Sequence, residues 1–215
     1  MIAIIDYGAG NLNSVKKAFD LAISNLNLNL DVVLTDKEDV IKKADGIVLP
    51  GVGAFASAMK NLHDLDLIDV IKKTTQNQEK PFLGICLGYQ LLLEKSYEDG
   101  EHKGLGIIKG EVKKFDLPVN YKIPHMGWNQ VNFGDCPIFK GLEEDSYFYF
   151  VHSYYACLSP DESNAIALTT DYGITFASGA YKKNIFGLQF HPEKSQSNGI
   201  KVLENFCKKV GGFNI

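Results

Sequence analysis

The chain contains no arginine: all 22 of its basic residues are lysine. Planar, two-pronged clamps on a carboxylate or phosphate are therefore excluded, and an anionic ligand must be held by backbone N–H groups, hydroxyls or lysine. The lysine pairs at 42–43, 72–73 and 208–209 read as solvated helix faces, and at a net charge of −4 no basic cluster marks a nucleic-acid footprint. Cysteine is scarce too. Cys86, Cys136, Cys157 and Cys207 form no Cys-x-x-Cys pair and no small secreted framework, which argues against structural zinc and against a disulfide scaffold. Free thiols are expected, with no metal and no cofactor. Long apolar runs are also missing, and Met1-Ile-Ala-Ile-Ile reaches the acidic Asp6 with no basic leader, so the expectation is a cytoplasmic chain without membrane contact. The turn Gly8-Ala-Gly10 follows an apolar run but has Asn13 where a dinucleotide fingerprint needs its third glycine, and no Walker sequence occurs.

What is present is an ordinary globular composition, 215 residues with 45% hydrophobic and 22% charged, which fits one domain spanning residues 1–215. No linker or repeat breaks it. Apolar runs at 2–5, 32–34 and 46–49 read as buried strands, and helical spacing recurs from Leu12 to Ile23, around Val40, from Phe55 to Leu62 and from Leu67 to Thr74. The alternation predicts a mostly parallel central sheet with helices on both faces. From about Leu105 the pattern turns β-rich. Strands are expected at 112–115, 129–133, 147–155, 165–169, 175–181 and 185–189, adding antiparallel strands to the sheet, before a last helix carrying Ile200, Leu203, Phe206, Cys207 and Val210.

Two segments carry the chemistry. Phe82-Leu-Gly-Ile-Cys-Leu-Gly-Tyr-Gln90 runs from an apolar strand into what reads as an amphipathic helix, placing Cys86 on a tight elbow flanked by glycines. A thiol at a helix N-terminus, beside an imidazolium, ionises more readily. A lone cysteine is more often a small buried hydrophobe, but here a second segment supplies its partners. Gly187-Leu-Gln-Phe-His-Pro-Glu193 ends a strand at the carboxyl edge where α/β sheets gather their chemistry, offering His191 as base and Glu193, across the rigid Pro192, as the group that orients it. Taken alone, His-Pro-Glu is equally consistent with a loop start and a solvated glutamate. The oxyanion of an acyl transfer needs N–H donors. Leu87, first in the elbow helix, is one candidate, and Val52 or Gly53 of the Gly51-Val-Gly53 turn is the other. Of the remaining histidines, His63 and His102 read as surface residues. His125 and His152 sit in richer contexts, and His152 ranks below His191 because no carboxylate follows it closely.

Six segments, Asp6 to Ser14, Leu49 to Phe55, Gly84 to Gln90, Pro124 to Asn129, Tyr149 to Tyr154 and Gln189 to Glu193, together resemble the class I (triad) glutamine amidotransferases over nearly the whole chain. Pro124-His-Met-Gly-Trp-Asn129 is similar to the branch that serves an imidazole glycerol phosphate synthase. The resemblance implies a flavodoxin-like α/β fold, hydrolysis of L-glutamine with Cys86 as nucleophile, and delivery of ammonia to a cyclase (synthase) subunit with a (β/α)8 barrel, as a heterodimer in histidine biosynthesis. It also implies that Gly51, Gln90, Glu98, His152, Ser153 and Tyr154 contact the substrate, while Asn11, Asn13 and Trp128 lie near the partner or the ammonia exit. Three alternatives remain open at this point: a glutaminase for a surface-sugar amidotransferase, a stand-alone cysteine hydrolase, and a non-catalytic regulatory subunit.

Overall fold

Each residue of the first strand, β1 (Ile2–Ile5), is buried, and the two faces of the strand feed two different cores. Ile2 and Ile4 pack with Val15, Phe19 and Phe206, whereas Ala3 and Ile5 pack with Ile41, Phe55 and Leu62. Such double burial explains why the strand is a continuous apolar run rather than an alternating one. The computed structural model describes residues 1–76, 79–162 and 165–213, with the side chain of Ile166 also outside the description.

After β1 come α1 (Leu12–Leu26), β2 (Val32–Thr35), α2 (Glu38–Lys43), β3 (Gly46–Gly51), α3 (Phe55–Asp64) and α4 (Leu67–Gln76). Then follow β4 (Phe82–Cys86), α5 (Leu87–Leu91), the two-residue strands β5 (Lys95–Ser96) and β6 (His102–Lys103), and β7 (Gly110–Lys114). The remainder is β8 (His125–Gln130), β9 (Tyr147–His152), β10 (Tyr154–Leu158), β11 (Ile166–Asp171), β12 (Thr175–Lys182), β13 (Ile185–Leu188) and α6 (Gln196–Val210). The large sheet runs β2-β1-β3-β4-β13-β12-β10-β7-β5-β6, with β11 added on β12. Strands β2 through β13 in that order are parallel, and the β13–β12, β12–β10 and β10–β7 pairs are antiparallel. The expected fold class therefore holds.

Three local expectations need correction. The segment behind Cys86 is no amphipathic helix: α5 is only five residues long and wholly buried, because it lies against β3, β4 and β13. The stretch 147–155 is two strands, not one. It breaks at Ser153, β9 pairing with β8 in a separate ribbon while β10 enters the large sheet. Phe148 and Phe150 pack in one core and Tyr154 and Ala156 in the other, so the inward face changes at the break while an unbroken aromatic run hides it in the sequence. The strand placed at 129–133 lies earlier, at His125–Gln130, and only Asn132 makes an isolated bridge beyond it, to Thr169. Val131 and Phe133 are buried core residues whose apolar character imitates a ladder.

The adjacent parallel strands β1, β3, β4 and β13 all end at one edge. Register sets Gly51 opposite Cys86 on one side, and Leu188 opposite Ile85 on the other, so Gln189 is the next residue level with the cysteine. Close packing of α5 on this edge depends on Gly88, where an added Cβ would collide with the Leu49 carbonyl oxygen. Overpacking of this kind costs about 1–3 kcal/mol, so Gly88→Ala should lower the melting temperature by about 2–10 °C and displace the elbow, as thermal unfolding would record. An unchanged melting temperature would contradict that packing.

Candidate active site

Cys86 is both the last residue of β4 and the residue that precedes α5, with φ at 54° and ψ at −109°. A non-glycine residue held there costs on the order of 1–3 kcal/mol and persists only when its surroundings enforce it. Enforcement comes from both sides: Ile85 is laddered between Pro50 and Leu188, and Leu87, Tyr89 and Leu91 are buried in the core shared by β3 and β4. The reversal delivers the sulfur to the sheet edge, into a cavity of about 370 Å³ that Cys86 and His191 both line.

His191 follows β13 and is fastened by its main chain. Its N–H donates to the Tyr149 carbonyl at 2.9 Å. The Ser195 hydroxyl donates to the His191 carbonyl at 2.6 Å and accepts from the Tyr149 amide at 2.9 Å. Next along the chain, the 3-10 turn Pro192–Lys194 swings Glu193 back so that its Oε1 lies 2.8 Å from His191 Nδ1, both side chains being 2% exposed. With Nδ1 taken, Nε2 is the nitrogen left for the thiol; it is buried and makes no hydrogen bond. Burial disfavours the imidazolium, but the nearby Cys86 sulfur and then Glu193 outweigh it and raise the His191 pKa above its ordinary range. The arrangement is a thiol, an imidazole and an orienting carboxylate gathered at one cavity, the equipment for nucleophilic attack on a carbonyl carbon.

The sequence-predicted residues converge unevenly. Val52, Gly53, Leu87, Gln90, Glu98, His152, Ser153 and Tyr154 all line the same cavity as Cys86 and His191. Val52 is 44% exposed at the cavity mouth, and neither the Val52 nor the Gly53 amide donates to a backbone acceptor among the described residues. Glu98 Oε2 accepts the Phe55 N–H at 2.6 Å, tying the 51–54 turn across the cavity. Gly51 is not a lining residue. It is buried in β3, and a Cβ there would collide with the Tyr7 hydroxyl. Asn11, Asn13 and Trp128 stand outside the cavity and are exposed. His152 has both ring nitrogens engaged, by His125 at 2.9 Å and by the Tyr154 carbonyl at 2.8 Å, which leaves none for the thiol. One residue was missed as a site member: Gln189, fully buried, whose Nε2 lies 3.8 Å from Cys86 Sγ. No local sequence pattern marks it; the strand register of the folded sheet sets it beside the cysteine. Among the described residues no group of three or more His, Cys, Asp or Glu side chains is placed to hold a metal ion, and no helix is long and apolar enough to cross a membrane.

The profile of the family described as glutamine amidotransferase class-I matches residues 3–210. The chain belongs to this family. It is 50% identical to the imidazole glycerol phosphate synthase subunit HisH 1 of Methanococcus maripaludis, an alignment covering 98% of this chain and 100% of that protein. It is 51% identical to the subunit HisH of Aquifex aeolicus, over 96% of both chains. Among solved structures, the glutaminase domain of Trypanosoma brucei CTPS, carrying bound acivicin, matches with a TM-score of 0.71 at 15% identity, covering 100% of this chain and 94% of that one. A structure described as a glutamine amidotransferase matches with the same TM-score and identity, over 98% and 100%. At such identities the likeness is one of fold.

The electrostatics lead to a test by NMR of labelled imidazole. In the native protein His191 should remain protonated through neutral pH. In Cys86→Ala the influence of the sulfur vanishes while burial remains, so the titration midpoint should move toward acid. A midpoint identical in both proteins would mean that the sulfur is not the partner of the ring.

Proposed function

We propose that this chain hydrolyses L-glutamine to glutamate and ammonia through a thioester on Cys86, and supplies the ammonia to a synthase subunit that makes imidazole glycerol phosphate in histidine biosynthesis. The observation that carries this reading is the bonded His191–Glu193 pair sharing one cavity with Cys86 at the elbow. Membership of the glutamine amidotransferase class I family names the substrate class, and relatives about half identical over nearly their full lengths, each named as an imidazole glycerol phosphate synthase subunit, support the pathway.

In the first half-reaction His191 holds the thiol proton and the thiolate attacks the carboxamide carbon. Negative charge moves to the carbonyl oxygen, where the Leu87 amide and an amide of Val52 or Gly53 receive it; one such donor is worth about 3 kcal/mol of barrier. His191 then protonates the departing nitrogen and ammonia leaves. Water, activated by the now neutral imidazole, attacks the thioester and releases glutamate. Glu193 keeps the ring in the productive tautomer throughout. Gln90, Glu98, Ser153 and Tyr154 hold the amino-acid end of the substrate, with Gly51 giving the floor of the oxyanion turn its clearance.

We read residues 1–215 as one glutaminase domain acting in the cytoplasm as half of a heterodimer. A (β/α)8 barrel partner would dock on the outer face of the β8–β9 ribbon, where Met126, Trp128 and Tyr147 are exposed, with Asn11 and Asn13 beside the ammonia route.

The test assays the complex with its synthase. Cys86→Ala should reduce glutamine-dependent synthesis at least about a thousandfold while ammonia-driven synthesis continues at the native rate. Glutamine use at the native rate in that variant would refute the nucleophile, and absence of glutaminase activity in the native complex would refute the reading.

A further inference from the structure

Five side chains outside the triad, with the Tyr154 main-chain carbonyl between them, are joined into one hydrogen-bonded chain that ends on the nucleophile. Gln189 Nε2 reaches Cys86 Sγ at 3.8 Å. Gln90 Nε2 lies 3.0 Å from Gln189 Oε1 and 3.0 Å from the Tyr154 carbonyl oxygen. His152 Nδ1 reaches the same carbonyl at 2.8 Å, His125 Nδ1 lies 2.9 Å from His152 Nε2, and Asn129 Nδ2 lies 3.3 Å from His125 Nε2.

The direction of every bond is forced. A carbonyl oxygen only accepts, so Gln90 presents its NH2 group to Tyr154, and His152 carries its proton on Nδ1. Both Gln90 N–H bonds are then spent, on Tyr154 and on Gln189. Gln189 must offer its oxygen there, which turns its own NH2 group toward the sulfur. On the other branch His152 Nε2 has to accept, so His125 donates from Nδ1 and accepts at Nε2. Asn129 satisfies that demand, and its orientation is fixed independently: its NH2 group also reaches the Asp171 carbonyl at 3.0 Å while its Oδ1 accepts the Gln130 N–H at 2.8 Å. The two branches meet at the Tyr154 carbonyl, which accepts from both. One proton per ring is what burial enforces, lowering His125 to about 4 and His152 to about 3.

We propose that Gln189 stabilises the thiolate form of Cys86 by holding an N–H on its sulfur, in an orientation fixed through Gln90 by the Tyr154 carbonyl. Gln189 is fully buried, two residues before the base and level with Cys86 in the sheet, so it has no rotamer that leaves the site for solvent. An N–H aimed at a sulfur favours the anion over the thiol. The proposal rests on Cys86 being the nucleophile and adds a group to its first contacts. The other titratable or charged groups at the sulfur's cavity are His191 with its partner Glu193, Tyr7 beneath the elbow, and Glu98, His152 and Tyr154 on the cavity wall, and all of them are retained when position 189 alone is changed.

The test is the pH dependence of Cys86 alkylation by iodoacetamide in the full-length chain, followed by mass spectrometry of the Cys86 peptide. Gln189→Met keeps length and apolar volume but removes donor and acceptor. Its alkylation midpoint should lie about one pH unit above the native one, with about tenfold slower alkylation at neutral pH, the lower end of what a hydrogen bond to a charged group supplies. Superimposable profiles would overturn the proposal. Should Gln189→Met fail to fold by thermal unfolding, Gln90→Met decides: it releases the Gln189 amide to rotate, and an unshifted profile in that variant would overturn the proposal equally. The glutaminase reading fails separately. A shifted profile in a chain that never hydrolyses glutamine leaves Gln189 assigned and the function refuted, whereas glutamine hydrolysis with an unshifted profile does the reverse.

Discussion

The chain reverses direction at Cys86 with a positive φ, and the neighbouring structure is arranged around keeping it there. The local cost, about 1–3 kcal/mol, is comparable to burying one large apolar side chain, about 1.5–3 kcal/mol. The elbow buries Leu87, Tyr89 and Leu91 immediately behind it, so the balance favours the strained turn by more than one such side chain. Glycine makes that burial geometrically accessible. With any larger residue at Gly88, α5 would stand off from β3, and the sulfur would leave the edge where His191 waits.

Sheet topology then does the assembly. Parallel strands β3, β4 and β13 finish side by side, so three residues distant in sequence, Gly51, Cys86 and Gln189, arrive on one level without any loop having to search for them. The base is positioned differently, by main-chain and Ser195 hydrogen bonds to β9 of the ribbon. That ribbon also carries His125 and His152, so the exposed Met126, Trp128 and Tyr147 and the side chains behind the nucleophile share one pair of strands.

Motif positions were legible in the sequence because each has a local cause. Glycines flank the cysteine, a proline fixes the turn between base and carboxylate, and apolar runs mark the buried parallel strands. What was not legible depends on partners far apart along the chain. The Gln189 contact with Cys86 spans 103 positions and its contact with Gln90 spans 99, and no periodicity encodes either. The split of 147–155 escaped for another reason: the aromatic run continues across Ser153 while both the pairing and the core that the even positions face change there. The helix behind the elbow was misread because a short buried segment and one turn of an amphipathic helix carry the same apolar residues.

The central claim is that one of the chain's four cysteines, set apart by backbone geometry and by His191, is a nucleophile toward a glutamine-like electrophile. Treating the native protein with a glutamine analogue that carries a diazoketone in place of the carboxamide, and mapping the adduct by peptide mass spectrometry, measures this directly. The account predicts a single adduct, on Cys86, that free glutamine suppresses by competition and that His191→Ala forms far more slowly. Labelling spread over Cys136, Cys157 and Cys207, or an adduct on Cys86 that glutamine does not suppress, would contradict it.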